Sequence, residues 1–214
     1  LCDYAGTHRL TEGQIRRARQ CYYGHVAAID HVFGKLLDEL ARRGELENTL
    51  IAFVADHGAH LGDHGFFQKQ SFWDASARVP FFFAGPGVAD QTVDTPVSAG
   101  SLLPTLLDLG GIGVPSQVQF PSLAGALPSG AIPAAPVFSE IDYGLWHYRP
   151  GQRYVMVRDD RWKLMLYRDP RDPNRFPAGQ GPETDDRVLY DLIDDPQERH
   201  NLAADPRYAH VLAE

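Results

Sequence analysis

The chain has 214 residues, 43% hydrophobic and 22% charged, the balance of an ordinary globular protein and enough for one large domain or two small ones. Its formal net charge of −8 argues against tight nucleic-acid binding, which needs a basic face, and allows an anionic ligand only where a local cation or metal receives it. There is no apolar run of about 18 residues to predict a membrane-spanning helix, and two cysteines, Cys2 and Cys21, do not make a disulfide framework.

From Glu12 to Arg43, apolar residues recur at Ile15, Ala18, Tyr22, Val26, Ile29, Phe33, Leu36 and Leu40, the steps of three and four that predict a helix. Thr11 with Gln14 has the form of a capping box, and Gly44 is placed as the stop. After a turn at Asn48-Thr49, the continuously apolar run Leu50–Ala55 reads as a strand buried on both faces, as in a parallel sheet. Val79–Ala84 reads as a second such strand, with Pro80 near its start, where a missing N–H costs least. Ser101–Leu109 predicts a helix with Pro104 in its first turn. Residues 110–136, rich in Gly, Pro, Ser and Ala, read as a long loop or crossover. Beyond them, Pro136–Glu140, Tyr154–Arg158, Trp162–Tyr167 and Leu189–Leu192 read as short strands. A hairpin turn is expected at Arg158-Asp159-Asp160-Arg161, a loop over Asp169–Asp186 and a short helix over Pro196–Ala204.

Two parallel-type strands and two helices do not cover one another's faces or edges. The chain, which opens at Leu1 and not at Met, is therefore expected to be part of a longer protein whose preceding segment supplies the missing strands.

Ligands of open α/β sheets bind beyond the carboxyl ends of strands, where Asp56-His57-Gly58 follows the first run. A carboxylate and an imidazole turned to one side by Gly58 suit a divalent metal, and the same triplet also makes a good turn. The segment that follows carries His60, His64 and Lys69; the lysine could face an anionic oxygen or simply be solvated. No specific role follows for His25, His60, His64 or His147.

The run from Phe53 through Asp56-His57-Gly58 and Leu61-Gly62-Asp63-His64-Gly65, then Lys69, then Ser76-Ala77-Arg78-Val79-Pro80, closely resembles the sulfatase family of the alkaline-phosphatase superfamily. Within it, the choline-sulfatase and phosphonate-monoester-hydrolase branch is the most similar. Three other stretches resemble the same family in the same order: Arg16–Val26 with Ile29, Asp30 and Gly34; Asp160–Leu164; and Leu189–Leu192 with Asp195, Pro196, Glu198, Asn201 and Leu202. The resemblance implies an α/β fold, the C-terminal part of an alkaline-phosphatase-like sandwich over residues 1–135 followed by a small antiparallel α+β subdomain over 136–214. It implies Asp56 and His57 as ligands of a divalent metal (calcium, with manganese or zinc as alternatives because many relatives carry Asn at the second position). Lys69 is implied as the lysine on the sulfate or phosphoryl oxygens, and Arg78 as a structural partner of a carboxylate. The family nucleophile, a formylglycine made in a Cys/Ser-x-Pro/Ala-x-Arg motif, is matched at neither Cys2 nor Cys21 and is expected in an upstream segment. The partners so implied are an anionic small-molecule ester and that upstream segment; charge and the lack of an apolar span add the expectation of no nucleic acid and no membrane, and a homo-oligomer stays open. Glu140, Asp142, Trp146, His147 and Tyr148 are candidates to reach the substrate pocket. The alternatives are a phosphonate or phosphodiester hydrolase on the same scaffold and a catalytically silent fragment.

Overall fold

The computed structural model describes residues 10–69, 71–142, 153–168 and 187–213. Helix α1 (Glu12–Arg43) has the limits its periodicity predicts: the Thr11 hydroxyl accepts from Gln14 N–H, the Gln14 side chain accepts from Thr11 N–H at 2.8 Å, and Gly44 closes it in the left-handed conformation. Ile15, Ala18 and Arg19 near one end and Phe33, Leu37 and Leu40 near the other are partly covered, but positions 20–32 are all exposed. Tyr23, Val26, Ile29, Val32 and Leu36 face solvent although several belong to the apolar stripe, and no residue of α1 is fully buried.

Strands β1 (Ile51–Val54) and β2 (Phe81–Ala84) pair antiparallel, Ile51 opposite Ala84 and Val54 opposite Phe81, which corrects the parallel arrangement expected from their sequences. A continuous apolar run reports coverage of both faces and carries no information on direction. Among the described residues, α1 supplies cover: Phe33 packs edge-on against Phe53, which stacks on Phe82, at centroid distances of 5.6 and 5.1 Å. β1 is accordingly only half-buried, and β2 alternates between half-buried and exposed.

Helix α2 (Asp74–Ala77) precedes β2, and α3 (Leu102–Leu109) follows a 3-10 turn at Ala99–Ser101, with Pro104 in the first turn of α3 as expected. Between α3 and residue 136 the structure has one short 3-10 turn, Ala124–Ala126. A second sheet follows, made of β3 (Val137–Asp142), β4 (Arg153–Arg158), β5 (Trp162–Arg168) and β6 (Arg187–Asp191) in that order, every neighbouring pair antiparallel. The β4–β5 turn forms where predicted: Asp159 N–H donates to the Trp162 carbonyl, and the Asp159 carboxylate caps the N–H groups of Arg161 and Trp162. Among the described residues no helix is long and apolar enough to cross a membrane.

The core of this second sheet gathers Tyr154, Met156, Met165, Tyr167, Val188 and Tyr190 around Phe72 and Trp73, which come from the β1–β2 connection. Trp73 Nε1 donates to the Tyr190 hydroxyl at 3.1 Å, and burial pushes that hydroxyl up to about 12. Beneath them lies Lys163, 0% exposed, whose ammonium donates to the Phe72 carbonyl at 3.1 Å, to Glu198 at 2.5 Å and to Asp74. One Arg158 nitrogen donates to both Asp74 oxygens, at 2.9 and 3.1 Å, and Glu198 accepts the Asp74 N–H at 2.6 Å. Burial alone would raise the Asp74 carboxyl, but the charges of Lys163 and Arg158 hold it below its ordinary value; at Glu198 burial prevails and the carboxyl is pushed up.

The helix expected over Pro196–Ala204 is absent, and turns take its place. Glu198 adopts a left-handed backbone (φ +55°) as its side chain turns inward to Lys163, and the Asp195 carboxylate takes the N–H groups of Arg199 and His200. Lys163→Met removes the cation shared by two buried carboxylates and is expected to lower the unfolding free energy by about 3–5 kcal/mol in urea titrations. Arg207→Ala, which breaks an exposed pair with Asp205, should leave the midpoint where it was.

Candidate functional site

Beyond β1 the Ala55 N–H still reaches the Pro80 carbonyl, and the chain then turns through Asp56, His57 and Gly58. Gly58 is required here by close approach: its N–H donates to the Ser76 carbonyl at 2.7 Å, and a Cβ at this position would overlap the Ala75 carbonyl oxygen. The turn is thus pressed onto α2, which is itself tied to the buried ion network through Asp74.

The Asp56 carboxylate caps the His57 N–H at 2.9 Å. His57 Nδ1 lies 2.9 Å from the Gly58 carbonyl, which can only accept, so Nδ1 carries the proton and Nε2 keeps its lone pair. Nε2 is 3.4 Å from Asp56 Oδ2 and 2.6 Å from Lys69 Nζ, which donates to it.

Lys69 returns to this corner because the intervening loop is pinned. Arg19 of α1 donates to the Leu61 carbonyl at 2.7 Å and to Asp63 at 3.3 Å. His60 N–H reaches the Gln68 carbonyl and Gly62 N–H the Phe66 carbonyl, both at 2.7 Å. The tight path uses left-handed backbone at Leu61, Gly62, His64 and Gln68.

The donor set suits a divalent cation as one corner of a site. A carboxylate oxygen and an unprotonated imidazole nitrogen are fitting ligands. Two ligand atoms about 2.1–2.4 Å from an ion, seen at a right angle, lie about 3.0–3.4 Å apart, which the observed separation meets. Among the described residues no group of three or more His, Cys, Asp or Glu side chains is poised to complete it.

Asp56, His57 and Lys69 open into a cleft of about 630 Å³ that runs to Arg78, Phe138 and Arg158. Arg78 is exposed on its wall, near enough to Asp74 to help lower that carboxyl, although the carboxylate's close partners are Arg158 and Lys163. Ser139 and Ile141 line the cleft and Glu140 does not; the side chain of Asp142 and residues Trp146, His147 and Tyr148 lie outside the described residues.

His60 stands behind the cleft wall, wholly buried against Phe66 and Trp73 with Nε2 2.6 Å from the Ser71 hydroxyl. His64 stacks on Trp73 at 4.5 Å, and burial lowers its pKa. His25 sits on the exposed middle of α1.

Gly58→Ala should destabilise the fold by about 1–3 kcal/mol through overpacking, seen as a lower unfolding midpoint. For His60, burial first and the charge of His64 second lower the pKa to about 4 from an ordinary 6.5. A histidine kept neutral by the fold stabilises it fully above the unfolded pKa, and that contribution is lost as pH falls from about 6.5 through about 4, where the unfolded chain binds the extra proton. His60→Phe should flatten the pH dependence of the urea midpoint across that window.

Two family models match the chain: Sulfatase over residues 3–112, and N-sulphoglucosamine sulphohydrolase, C-terminal, over residues 62–214. A choline-sulfatase of Rhizobium meliloti is 34% identical over 208 residues, covering 96% of this chain and 37% of the relative. A Delta 4,5-hexuronate-2-O-sulfatase of Bacteroides thetaiotaomicron is 38% identical over 226 residues, covering 97% and 43%. Among solved structures, a 2-O GAG sulfatase superposes with a TM-score of 0.78 at 31% identity, covering 97% of this chain and 43% of that one. A phosphonate monoester hydrolase of Agrobacterium radiobacter gives 0.75 at 28%, covering 94% and 40%. The chain thus spans about two fifths of the length of these relatives, over a mixed helix-and-sheet architecture of the alkaline-phosphatase-like kind. It belongs to the sulfatase family.

Proposed function

We propose that this chain carries the metal-and-anion corner of a sulfuric ester hydrolase whose nucleophile and remaining metal ligands come from another part of the same protein. The observation that supports this most is the convergence of Asp56, His57 Nε2 and Lys69 Nζ at the carboxyl end of β1, with a cleft in front of them.

In this reading Asp56 and His57 hold a divalent cation, calcium foremost, with manganese or zinc as the alternatives that an imidazole ligand allows. Such a cation, when bound, polarises the sulfuryl oxygens and offsets charge on the nucleophilic oxygen. The Gly58 carbonyl fixes the His57 tautomer so that Nε2 faces the ligand position. Lys69 turns its ammonium from Nε2 to an oxygen of the ester and offsets the charge that develops on the transferring group. The substrate is a small anionic sulfate ester, and the locally placed cations let a chain of net charge −8 accept it.

Sulfatases generally use a divalent metal and a formylglycine. The nucleophile expected here is that formylglycine, carried by a segment preceding residues 1–135 of the α/β core, while residues 136–214 form the smaller C-terminal subdomain. The uncovered middle of α1 and the half-buried β1 and β2 supply apolar surface on which such a segment can pack. This chain by itself is then expected to be inactive.

A second reading, hydrolysis of phosphonate monoesters or phosphodiesters at the same corner, is favoured by the likeness to the phosphonate monoester hydrolase. Kinetics of the full-length protein on paired sulfate and phosphonate esters separate the two. Lys69→Ala in that protein should lower kcat/KM by about 100- to 1,000-fold with the unfolding midpoint unchanged; unaltered turnover would remove Lys69 from the site. Asp56→Asn and His57→Ala should each lower the bound divalent metal measured by elemental analysis.

A further inference from the structure

Ser71 lies two residues beyond Lys69 and lines the same cleft as Asp56, His57 and Lys69. Its hydroxyl is 2.6 Å from Nε2 of His60. That imidazole is 0% exposed, flanked by the rings of Phe66 at 5.5 Å and Trp73 at 5.7 Å. Its backbone is fixed on both sides, with N–H on the Gln68 carbonyl and carbonyl on the Asp63 N–H. A polar ring placed so deep among aromatic residues is costly unless it is hydrogen-bonded, and Ser71 supplies that bond.

The pair does not have the make-up of a nucleophile and its base. A catalytic imidazole needs a second group on its other nitrogen to orient it and stabilise its charge, whereas His60 Nδ1 is buried with no hydrogen-bond partner among the described residues. Burial also holds the ring neutral near pH 7. We assign the proton to Nε2, because the ring then donates to Ser71 Oγ and no buried N–H is left without an acceptor. In that tautomer the Ser71 O–H is not used by His60, and Ser71 lines the cleft together with Lys69.

We propose that Ser71 is a substrate-binding residue that donates a hydrogen bond to an oxygen of the transferring sulfuryl group, and that the buried His60 is the positioning residue that holds its hydroxyl in that direction. The inference rests on the sulfatase reading above and adds to it a neutral donor beside the Lys69 ammonium. No bond is made or broken at Ser71, so its contribution is to anchoring and charge stabilisation.

The test uses the full-length protein, a sulfate monoester as substrate and inorganic sulfate as competitive inhibitor. Ser71→Ala is expected to lower kcat/KM and weaken sulfate inhibition, each by about 10- to 100-fold as for a lost hydrogen bond to a charged group, and to lower the unfolding midpoint, because the buried His60 N–H loses its acceptor. Ser71→Thr, which keeps the hydroxyl, should retain most of both. His60→Gln should move both constants in the same direction as Ser71→Ala; if that variant does not fold, the Ala and Thr variants at position 71 decide alone. Unchanged kcat/KM and sulfate inhibition in Ser71→Ala, or equal losses in the Ala and Thr variants that follow a lowered midpoint, would overturn the proposal. If Lys69→Ala collapses activity while Ser71→Ala does not, only this inference falls; if neither variant alters turnover, the sulfatase reading of the corner falls with it.

Discussion

The buried ammonium of Lys163 is the point on which this structure turns. It joins three stretches far apart in sequence: the β1–β2 connection through Asp74 and the Phe72 carbonyl, the second sheet through its own strand, and the C-terminal turns through Glu198. An ammonium out of water is tolerable only with this many partners, and each buried carboxylate is tolerable only beside the ammonium. The consequence reaches the cleft directly. Asp74 opens α2, the Ala75 and Ser76 backbone presses on Gly58, and Gly58 sets the turn that presents Asp56 and His57.

The same connection supplies Phe72 and Trp73 to the core of the second sheet. The loop that carries Lys69 is therefore anchored at both ends, by Arg19 of α1 near Leu61 and by the two aromatic rings immediately beyond Ser71. Preorganised charge at an active site requires this kind of support, since a group free to swing reorients at each turnover. The less supported part is the first sheet. A 32-residue helix with no fully buried residue and an apolar middle turned to solvent is seldom stable as a free face, in keeping with a chain that spans about two fifths of its relatives.

Local rules were readable where they act within a few residues. The Thr11–Gln14 box and Gly44 bound α1 from sequence, and the β4–β5 hairpin lay at Asp159-Asp160, because caps and turns depend on nearby backbone groups. Strand direction was not readable: β1 and β2 are apolar whichever way they run, and the antiparallel pairing depends on the path of the intervening loop. At Asp56, His57 and Lys69 the resemblance named residues that lie together in the structure, with Lys69 Nζ 2.6 Å from His57 Nε2 and the adjacent Asp56 3.4 Å from the same nitrogen. The role of Asp74 is not legible at its own position, yet Lys163 carries a signal of it. In Trp162–Tyr167, Lys163 shares the inward parity of Met165 and Tyr167, and a charge at an inward strand position calls for a buried counter-charge. Glu198 pulled into that network also explains why turns replace the helix expected over Pro196–Ala204. For His60, nothing in the polar loop pattern distinguishes a buried ring from a solvated one.

Asp56 and His57 are proposed to hold a divalent cation beside Lys69. The most direct test of this assignment is a crystal structure of the full-length protein with manganese, recorded at the metal's absorption edge. An anomalous peak within about 2.0–2.6 Å of an Asp56 carboxylate oxygen and of His57 Nε2 is expected, with Lys69 Nζ displaced toward an anion. A metal bound elsewhere, with Nε2 still occupied by Lys69, would contradict it.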